Sequence, residues 1–248
     1  PGNTVAQLFG GTGGDVTIGD AGKSGSILVG VAEHGGSATG TVDFSGVVNF
    51  TADVNEFVLG RVISGSAGGE FTLAQNNVID ANRIDLGESG GGTLHLGQTN
   101  TILADTITVG TENGSGTIDI AGGGTLVLGS PSRPVAVTVA NHSFDSSATR
   151  TGQIDLTGAH FDAWLDDLIV GRKFGGNGNT HGQFYGGSSG TIHIGDSLDP
   201  ASVIIGDSVA GGAVSAVVDF SGQDAIFAEL DQLIVGAKTS GTAGATFR

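Results

Sequence analysis

A short block that recurs along the whole chain constrains its fold more than any other feature of the sequence. The block is an apolar residue, any residue, a second apolar residue and glycine, and it occurs at 27–30, 57–60, 84–87, 107–110, 168–171, 203–206 and 233–236. The interval between Gly110 and Gly171 is twice as long as usual, and 137–141 lies in its middle. Because asparagine tolerates a positive φ better than most residues, we assign Asn141 to the glycine position there. Successive blocks are then 23–35 residues apart, about 29 on average, which is typical of a repeat architecture.

A second block, in which apolar and polar residues alternate, follows most of these glycines. It occurs at 40–44, 92–96, 116–120, 152–156, 190–194 and 217–220. This alternation is the period of a β-strand with one buried face. Two further stretches, 161–168 and 223–233, have an apolar spacing that also suits a short amphipathic helix. The segment 50–57, which aligns with part of the second stretch, is richer in β-forming residues, and we therefore expect extended structure at both.

A longer period contains several of the short ones. Residues 7–72 align with 183–248 without a gap, at an offset of 176 residues and with 23 identities in 66 positions. The clearest match places 42–46 against 218–222. An offset of 176 residues equals about six short repeats, which indicates that six were duplicated together. Because Arg248 interrupts the second copy, we expect the chain to be a fragment of a longer repeat protein.

These periods predict an all-β fold, namely one right-handed parallel β-solenoid (β-helix) of about eight coils of about 29 residues, extending over 1–248. A single coil cannot bury its own apolar face, whereas stacked coils pair strand on strand and enclose one apolar column. Parallel pairing follows because each block returns in the same direction, and crossovers between parallel strands are nearly always right-handed. The stretches 130–150 and 172–189 interrupt the pattern, and we expect both to protrude as insertions or loops.

Composition and charge exclude several classes of protein. Glycine makes up 47 of 248 residues, but it follows no Gly-X-Y period and there are only four prolines, which excludes collagen. The formal net charge is −16, and so acidic a surface repels phosphate backbones, so we expect no nucleic-acid partner. No apolar run reaches the roughly 18 residues of a membrane span, and we expect no membrane-embedded segment. The absence of cysteine excludes disulfides and thiol chemistry.

The polar positions of the second block predict a ladder of side chains on the outer face of the stack. Its members are Asp43, His95, Asp119, Asp155, His193 and Asp219. Such a ladder is either a linear site for cations or sugar hydroxyls, or a solvated face whose charges discourage aggregation, and we favour the solvated face. A separate set of ligand-contacting side chains is predicted within 172–189, consisting of Arg172, Phe174 and Tyr185.

The sequence assigns no catalytic, cofactor-binding or metal-ligating residues. Residues 10–18 match a calcium-binding nonapeptide except at Thr17, but such sites need consecutive copies and only one is present. We therefore expect no cofactor, with Ca²⁺ as the alternative. The one dense acidic cluster consists of Asp162, Asp166 and Asp167 around Trp164, whose indole could stack on a sugar. We expect instead that Trp164 packs at the edge of the core.

Runs such as GTIDIAGGGTLVLG at 116–129 and VDFSG at 42–46 are similar to repeats of large bacterial surface proteins. The chain resembles the β-helical passengers of autotransporters and the filamentous-haemagglutinin-like adhesins. This resemblance implies an extracellular or bacterial cell-surface location and a structural or adhesive role. We expect a non-enzymatic rod within an extracellular filament, stalk or adhesin, whose partner is a second copy of itself or the continuation of the same chain. The alternatives are an adhesin module that binds glycans or a host surface through the protruding loops, and a polysaccharide-active β-helix enzyme.

Overall fold

Every regular element in the described part of the chain is a β-strand, as the alternating blocks predict. A computed structural model describes residues 3–142 and 148–248. In chain order the strands are β1 (Asn3–Phe9), β2 (Asp15–Gly19), β3 (Ser26–Ala32), β4 (Ser37–Asp43), β5 (Asn49–Val62), β6 (Ser66–Thr72), β7 (Asn76–Glu88), β8 (Gly91–Leu96), β9 (Thr99–Thr111), β10 (Ser115–Ile120), β11 (Thr125–Leu128), β12 (Val135–His142), β13 (Arg150–Asp155), β14 (His160–Lys173), β15 (Thr180–Tyr185), β16 (Thr191–Ile194), β17 (Ala201–Ser208), β18 (Ala213–Asp219), β19 (Ala225–Ala228), β20 (Leu230–Val235) and β21 (Thr242–Phe247). The two stretches with helical spacing lie in β14 and in β19 with β20, so the expected extended structure is confirmed.

The strands form two long parallel sheets. One has nine strands in the order β1-β4-β6-β8-β10-β13-β15-β18-β21, and the other has twelve. Every pairing between the named strands is parallel. After each strand of the nine-stranded sheet but the last, the chain passes through one or two strands of the other sheet and then returns. This connectivity is consistent with a β-solenoid.

Four long strands of the twelve-stranded sheet, β5, β7, β9 and β14, each take the place of two shorter ones. Strand β5 pairs with both β2 and β3, and β14 pairs with both β11 and β12. The pairing of β5 with β7 is interrupted at Asn55 and Asn82, where the Asn82 amide donates a hydrogen bond to the Asn55 side-chain oxygen across 2.9 Å. In other repeats a short loop separates the two halves, with 129–134 between β11 and β12, and 195–200 between β16 and β17.

Alternation along each strand directs the apolar side chains into one continuous core. In β8, Leu94 is fully buried while His95 is half-exposed on the outer face. The inward residues of both sheets form a single hydrophobic cluster that extends from Ile27 to Phe220. A fully buried aromatic or aliphatic side chain contributes about 1.5–3 kcal/mol. Four phenylalanines with ring centroids 5.2–5.6 Å apart fill one end of this core: Phe44, Phe50, Phe57 and Phe71.

The glycines of the first block are required by the backbone, as predicted. All seven have a positive φ of 64–74°: Gly30, Gly60, Gly87, Gly110, Gly171, Gly206 and Gly236. The expectation for Asn141 is wrong by one residue. Ala140, with a φ of 53°, lies opposite Gly110, because the apolar pattern of this block ends at Val139.

The 176-residue period also appears in the strands. Strands β1, β2 and β3 correspond at this offset to β15, β16 and β17, and β4 corresponds to β18. Each pair of strands begins and ends within one residue of the same offset. The duplication inferred from the sequence therefore coincides with whole structural repeats.

The two predicted insertions are shorter than expected. Within 130–150, strand β12 occupies Val135–His142, and residues 143–147 lie outside the described part of the chain. Within 172–189, strand β15 occupies Thr180–Tyr185, so that the connection from β14 is only 174–179. Glycine obscured β15 in the sequence. Gly182 takes an inward position where the strand pattern would place an apolar side chain. Glycine is required there, because a Cβ would lie 2.5 Å from the backbone nitrogen of Gly171.

The strands at the two ends of the sheets have exposed apolar side chains. Strands β1 and β21 each pair on one side only among the described residues. Val5 and Phe9 of β1 are 73% and 62% exposed, and Phe227 and Leu233 at the other end are 57% and 53% exposed. The described residues contain no helix long and apolar enough to cross a bilayer.

Candidate functional site

An outward column of side chains runs along the nine-stranded sheet, and it includes five of the six predicted ladder residues. The strand registers place these residues in line: Phe9, Asp43, Thr72, His95, Asp119, Asp155, Tyr185 and Asp219. Neighbouring positions in such a column are separated by the strand spacing of about 4.8 Å. The side chains from Asp43 to Asp219 are half-buried.

His193 does not belong to this column. It lies in β16 of the twelve-stranded sheet, opposite Trp164, and Tyr185 takes the place that was predicted for it. The block at 190–194 has the same alternation as the blocks of the nine-stranded sheet. In this repeat, however, β15 is the strand of the nine-stranded sheet, and 191–194 form β16 of the other sheet. The 176-residue offset indicated this placement. It aligns His193 with Thr17, which lies in β2 of the twelve-stranded sheet, and it aligns Tyr185 with Phe9, which belongs to the column.

Three carboxylates of the column bind the protein's own backbone. The Oδ1 atom of Asp43 accepts a hydrogen bond from the N–H of Ser45 across 2.9 Å, and Asp155 and Asp219 make the same contact two residues ahead, at 3.1 Å each. Hydrogen bonds from Ser45 lower the pKa of Asp43, and the pKa of Asp219 is lowered by its own following serine in the same way. These aspartates shape the turns that follow their strands.

Asp119 lies opposite Asp155 in the column, and on its other side it contacts the neighbouring His95. The His95 Nδ1 atom lies 2.7 Å from Asp119 Oδ1, and its Nε2 atom lies 3.4 Å from Glu70 Oε1. Within residues 3–142 and 148–248, no group of three histidines or carboxylates is placed to hold a metal ion. In the nonapeptide match, Asp15 accepts a hydrogen bond from the Asn49 amide across 2.6 Å.

The predicted ligand-contacting residues do not form one loop. Arg172 lies near the end of β14, where its Nε donates to Asp207 Oδ2 across 3.1 Å and its guanidinium lies 4.3 Å from the centre of the Phe174 ring. Tyr185 lies in the other sheet, where its hydroxyl accepts a hydrogen bond from Gln183. The structure thus pairs Arg172 with Phe174 and separates both from Tyr185.

A groove of about 510 Å³ lies on the outer face of the twelve-stranded sheet, over the middle of β14. Trp164 is half-buried in it, while the adjacent Ala163 and Leu165 point into the core. The expectation that Trp164 packs at the core edge is therefore wrong, because the alternation of β14 directs its side chain outward. The groove is lined by Pro131, Ser132, Pro134, Trp164, Leu165, Asp166, His193, Gly195, Asp196 and Asp199.

The groove arises because a continuous strand lies between two interrupted ones. Strand β14 runs without a break, whereas the loop 129–134 interrupts the strands before it and the loop 195–200 interrupts those after it. These two loops form the walls, and β14 forms the floor. Among the described strands, only β14 has such a loop on both sides.

Stacked aromatic rings extend along the floor of the groove. The indole of Trp164 lies parallel to the His193 imidazole, with centroids 5.8 Å apart and an interplanar angle of 3°. His193 stacks in turn on Phe227, with centroids 5.0 Å apart. On the other side of Trp164, the pairing of β11 with β14 ends at Leu128 and Ala163, and the loop 129–134 that lines the groove begins there.

Two of the carboxylates around Trp164 are bound within the protein. Asp162 accepts hydrogen bonds from the Thr191 N–H and from His160, and Asp167 accepts one from the Ser202 N–H across 2.6 Å. Burial raises the pKa of Asp166, and the charges of Asp167 and Asp199 raise it further. No hydrogen-bond donor of the described residues contacts the carboxylates of Asp166 or Asp199, so they are free to accept hydrogen bonds from a ligand.

A second polar groove lies on the same sheet, among Glu88, Glu112 and Asn141. Burial raises the pKa of Glu88, and the charges of Asp85 and Glu112 add to the shift. The neighbouring groups are already paired, since Arg83 lies 2.7 Å from Asp85 and the Ser89 hydroxyl donates to Glu112 across 3.0 Å. This groove therefore consists mainly of internal ion pairs and hydrogen bonds.

Sequence reasoning missed the walls of the Trp164 groove. The groove is lined by Pro131, Pro134 and residues of the segment 195–199 as well as by β14. Of these parts, only the aspartate cluster around Trp164 was visible in the sequence. The available signal was a proline-containing stretch shortly before two of the first blocks, SPSRP at 130–134 and DSLDP at 196–200.

Comparisons of the chain with protein-family models, with curated proteins and with solved structures find no match.

Proposed function

We propose that the chain is a non-enzymatic structural rod, a right-handed parallel β-solenoid of about eight coils within an extracellular filament, stalk or surface adhesin. Its next coil is supplied either by the continuation of the same chain or by end-to-end association with a second copy. Parallel crossovers are almost always right-handed, which supports the handedness. The resemblance to bacterial surface proteins supports the location.

The observation that carries this proposal is the unbroken register of the stack. The nine-stranded sheet keeps one outward position in line from Phe9 to Asp219, and the inward side chains form one cluster along the same length. Each repeat contacts its neighbours through parallel hydrogen bonds and shared core. Such a stack is stiff along its axis, because bending would separate paired strands on one side.

The strand edges at both ends also favour continuation of the stack. One edge of β1 has no partner among the described strands, and it lies next to exposed Val5 and Phe9. An edge of this kind pairs readily with another strand unless charge, proline or a covering segment blocks it. The net charge of −16 repels parallel rods laterally, which directs association to the ends.

Electron microscopy and fibre diffraction of the purified chain at micromolar concentration test the proposal. We expect fibres of uniform width with an axial repeat near 4.8 Å, several times longer than the roughly 40 Å of eight coils. The double variant Val5→Lys and Leu233→Lys places charge at both ends, on side chains that are 73% and 53% exposed, and it should give short particles. Fibres that are equally long in this variant would contradict association through the strand edges. Particles without the axial repeat would contradict the rod itself.

A further inference from the structure

We propose that the groove over Trp164 binds a sugar ring of a glycan that carries no negative charge. This inference goes beyond the structural role and does not depend on it. The groove has a volume of about 510 Å³, within the range of about 300–1,000 Å³ typical of small-molecule sites. Its chemistry combines a flat aromatic platform with free hydrogen-bond acceptors.

The platform is the indole of Trp164. His193 stacks on the indole at an interplanar angle of 3°, and the half-buried indole lines the groove together with the loop 129–134. The two loop walls belong to the repeats before and after β14, so they stand two strand spacings apart, roughly 10 Å. The negative π face of an aromatic ring attracts the polarised C–H groups of a sugar ring.

The acceptors are the carboxylates of Asp166 and Asp199. Both line the groove, and no hydrogen-bond donor of the described residues contacts either one. Ionised carboxylates only accept hydrogen bonds, and sugar hydroxyls are donors that match them. Hydrogen bonds to a charged acceptor are stronger than those between neutral groups.

Both walls are fixed before any ligand binds. In the first loop, Arg133 donates to Asp105 across 2.8 Å and to the Ala81 carbonyl across 2.7 Å, and it also pairs with Asp80. Prolines on both sides of this arginine restrict φ further. In the second loop, Asp196 accepts hydrogen bonds from the N–H groups of Leu198 and Asp199. A pre-formed site of this kind loses little entropy when it binds.

The charge and ring geometry of the groove select among ligands. Asp166, Asp196 and Asp199 line it, and none of its lining residues in the described part of the chain is a lysine or an arginine, so a carboxylated or sulfated sugar would be repelled. The indole and the imidazole lie parallel to each other, so their faces do not enclose a cage. A quaternary ammonium group binds instead within a cage of aromatic faces.

The experiment is a fluorescence titration, because Trp164 is the only tryptophan of the chain and therefore reports on this groove alone. The probes are neutral oligosaccharides of glucose, mannose, xylose and N-acetylglucosamine, with polygalacturonate as the anionic comparison and CaCl₂ as the cation comparison. We expect at least one neutral oligosaccharide to shift the Trp164 emission with a Kd of about 1 mM or below. Polygalacturonate and CaCl₂ should leave the emission unchanged.

Calorimetry on variants then assigns the contacts. Trp164→Leu should weaken binding of the active oligosaccharide at least about tenfold, and Asp199→Asn should weaken it about three- to tenfold. Asp199 is exposed, so its replacement leaves the core unchanged and keeps the test valid if Trp164→Leu fails to fold. Phe174→Leu is the matched control, since this 41% exposed aromatic residue lies outside the groove and its replacement should not alter the affinity.

Three results would overturn the proposal. One is the absence of any emission shift with every neutral oligosaccharide at 10 mM, about tenfold above the weakest expected Kd. Another is a shift with CaCl₂ alone, which would make the groove a cation site. The last is unchanged oligosaccharide affinity in both Trp164→Leu and Asp199→Asn. None of these results bears on fibre formation, so the rod and the sugar site fail independently.

Discussion

At the scale of single residues, the turn that contains Gly60 depends on glycine for two separate reasons. Gly60 has a φ of 72°, which costs a residue with a side chain about 1–2 kcal/mol. A Cβ there would also lie 1.8 Å from the carbonyl oxygen of Gly91, a backbone atom that cannot move without breaking the sheet. The close approach of two chain segments at this turn therefore excludes every side chain.

Gly60→Ala should consequently lower the free energy of unfolding by about 3 kcal/mol or more, as the strained φ and the steric contact add. Chemical denaturation of the two proteins measures the difference. Gly68→Ala is the matched control in the neighbouring strand β6, because Gly68 has no atom within 4 Å of an added Cβ and does not have a positive φ. Equal losses in both variants would show that the turn geometry is not the cause.

His142 makes the stability of the fold depend on pH. It is 2% exposed, and its Nδ1 atom lies 2.9 Å from the Thr180 hydroxyl oxygen. Burial, together with the charges of Lys173 and Arg150, lowers the pKa of His142 from 6.5 to about 4. The unfolded chain therefore binds a proton at a higher pH than the folded chain does.

As the pH falls from about 6.5 to about 4, His142 should reduce the free energy of unfolding by about 2–3 kcal/mol, because only the unfolded state gains the proton. Urea denaturation at a series of pH values measures this slope. His142→Asn should flatten it, whereas replacement of the 91% exposed His34 by Asn should not. The same slope in wild type and His142→Asn would exclude His142 as its origin.

At the scale of elements, a pair of buried asparagines joins strands β7 and β9. Asn100 is fully buried, and its side-chain oxygen accepts hydrogen bonds from the Gly97 N–H and from the Asn77 amide. Its own amide donates to the carbonyls of Gly97 and Thr125. One side chain thus satisfies backbone groups of its own turn and of the next strand, β11.

Asn100→Ala should lower the free energy of unfolding by about 2–4 kcal/mol, since it leaves several buried polar groups without partners and creates a cavity. Thermal or urea denaturation provides the measurement. Asn82→Ala is the control, because Asn82 bonds to Asn55 in the same way but on the exposed outer face, and it should cost less than about 1 kcal/mol. A cost for Asn82→Ala as large as that for Asn100→Ala would show that burial does not set the penalty.

At the scale of the whole molecule, each repeat contacts only its neighbours, so stability should decrease toward both ends of the stack. Hydrogen exchange should be slowest in the central strands β7 and β9 and fastest in β1 and β21, which pair on one side only among the described strands. Mass spectrometry of peptides that cover each strand measures the gradient. If the sheets exchange uniformly, the repeats open together and the nearest-neighbour description is wrong. In fibres, the end strands should become protected, which links this measurement to the proposed association.

The sequence by itself predicted the features that depend on local periodicity. The period of two in the second blocks indicated strands with one buried face, and the glycines after the first blocks indicated turns with positive φ, as at Gly60 and Gly171. The outward column from Asp43 to Asp219 followed from the same pattern, because residues that recur at one position of a parallel repeat lie in one line. Backbone sterics and side-chain alternation act within a few residues, so they can be read directly from the chain.

Only the tertiary structure decided which sheet each block joins and which loops meet. His193 lies beside Trp164 rather than beside Asp155, because loops of unequal length shift the count of strands and a short block fits either sheet equally well. The groove over Trp164 likewise depends on loops about 60 residues apart, at 129–134 and 195–200, on either side of one continuous strand. Their proximity is set by the stacking of whole repeats, and no local pattern in the chain encodes it.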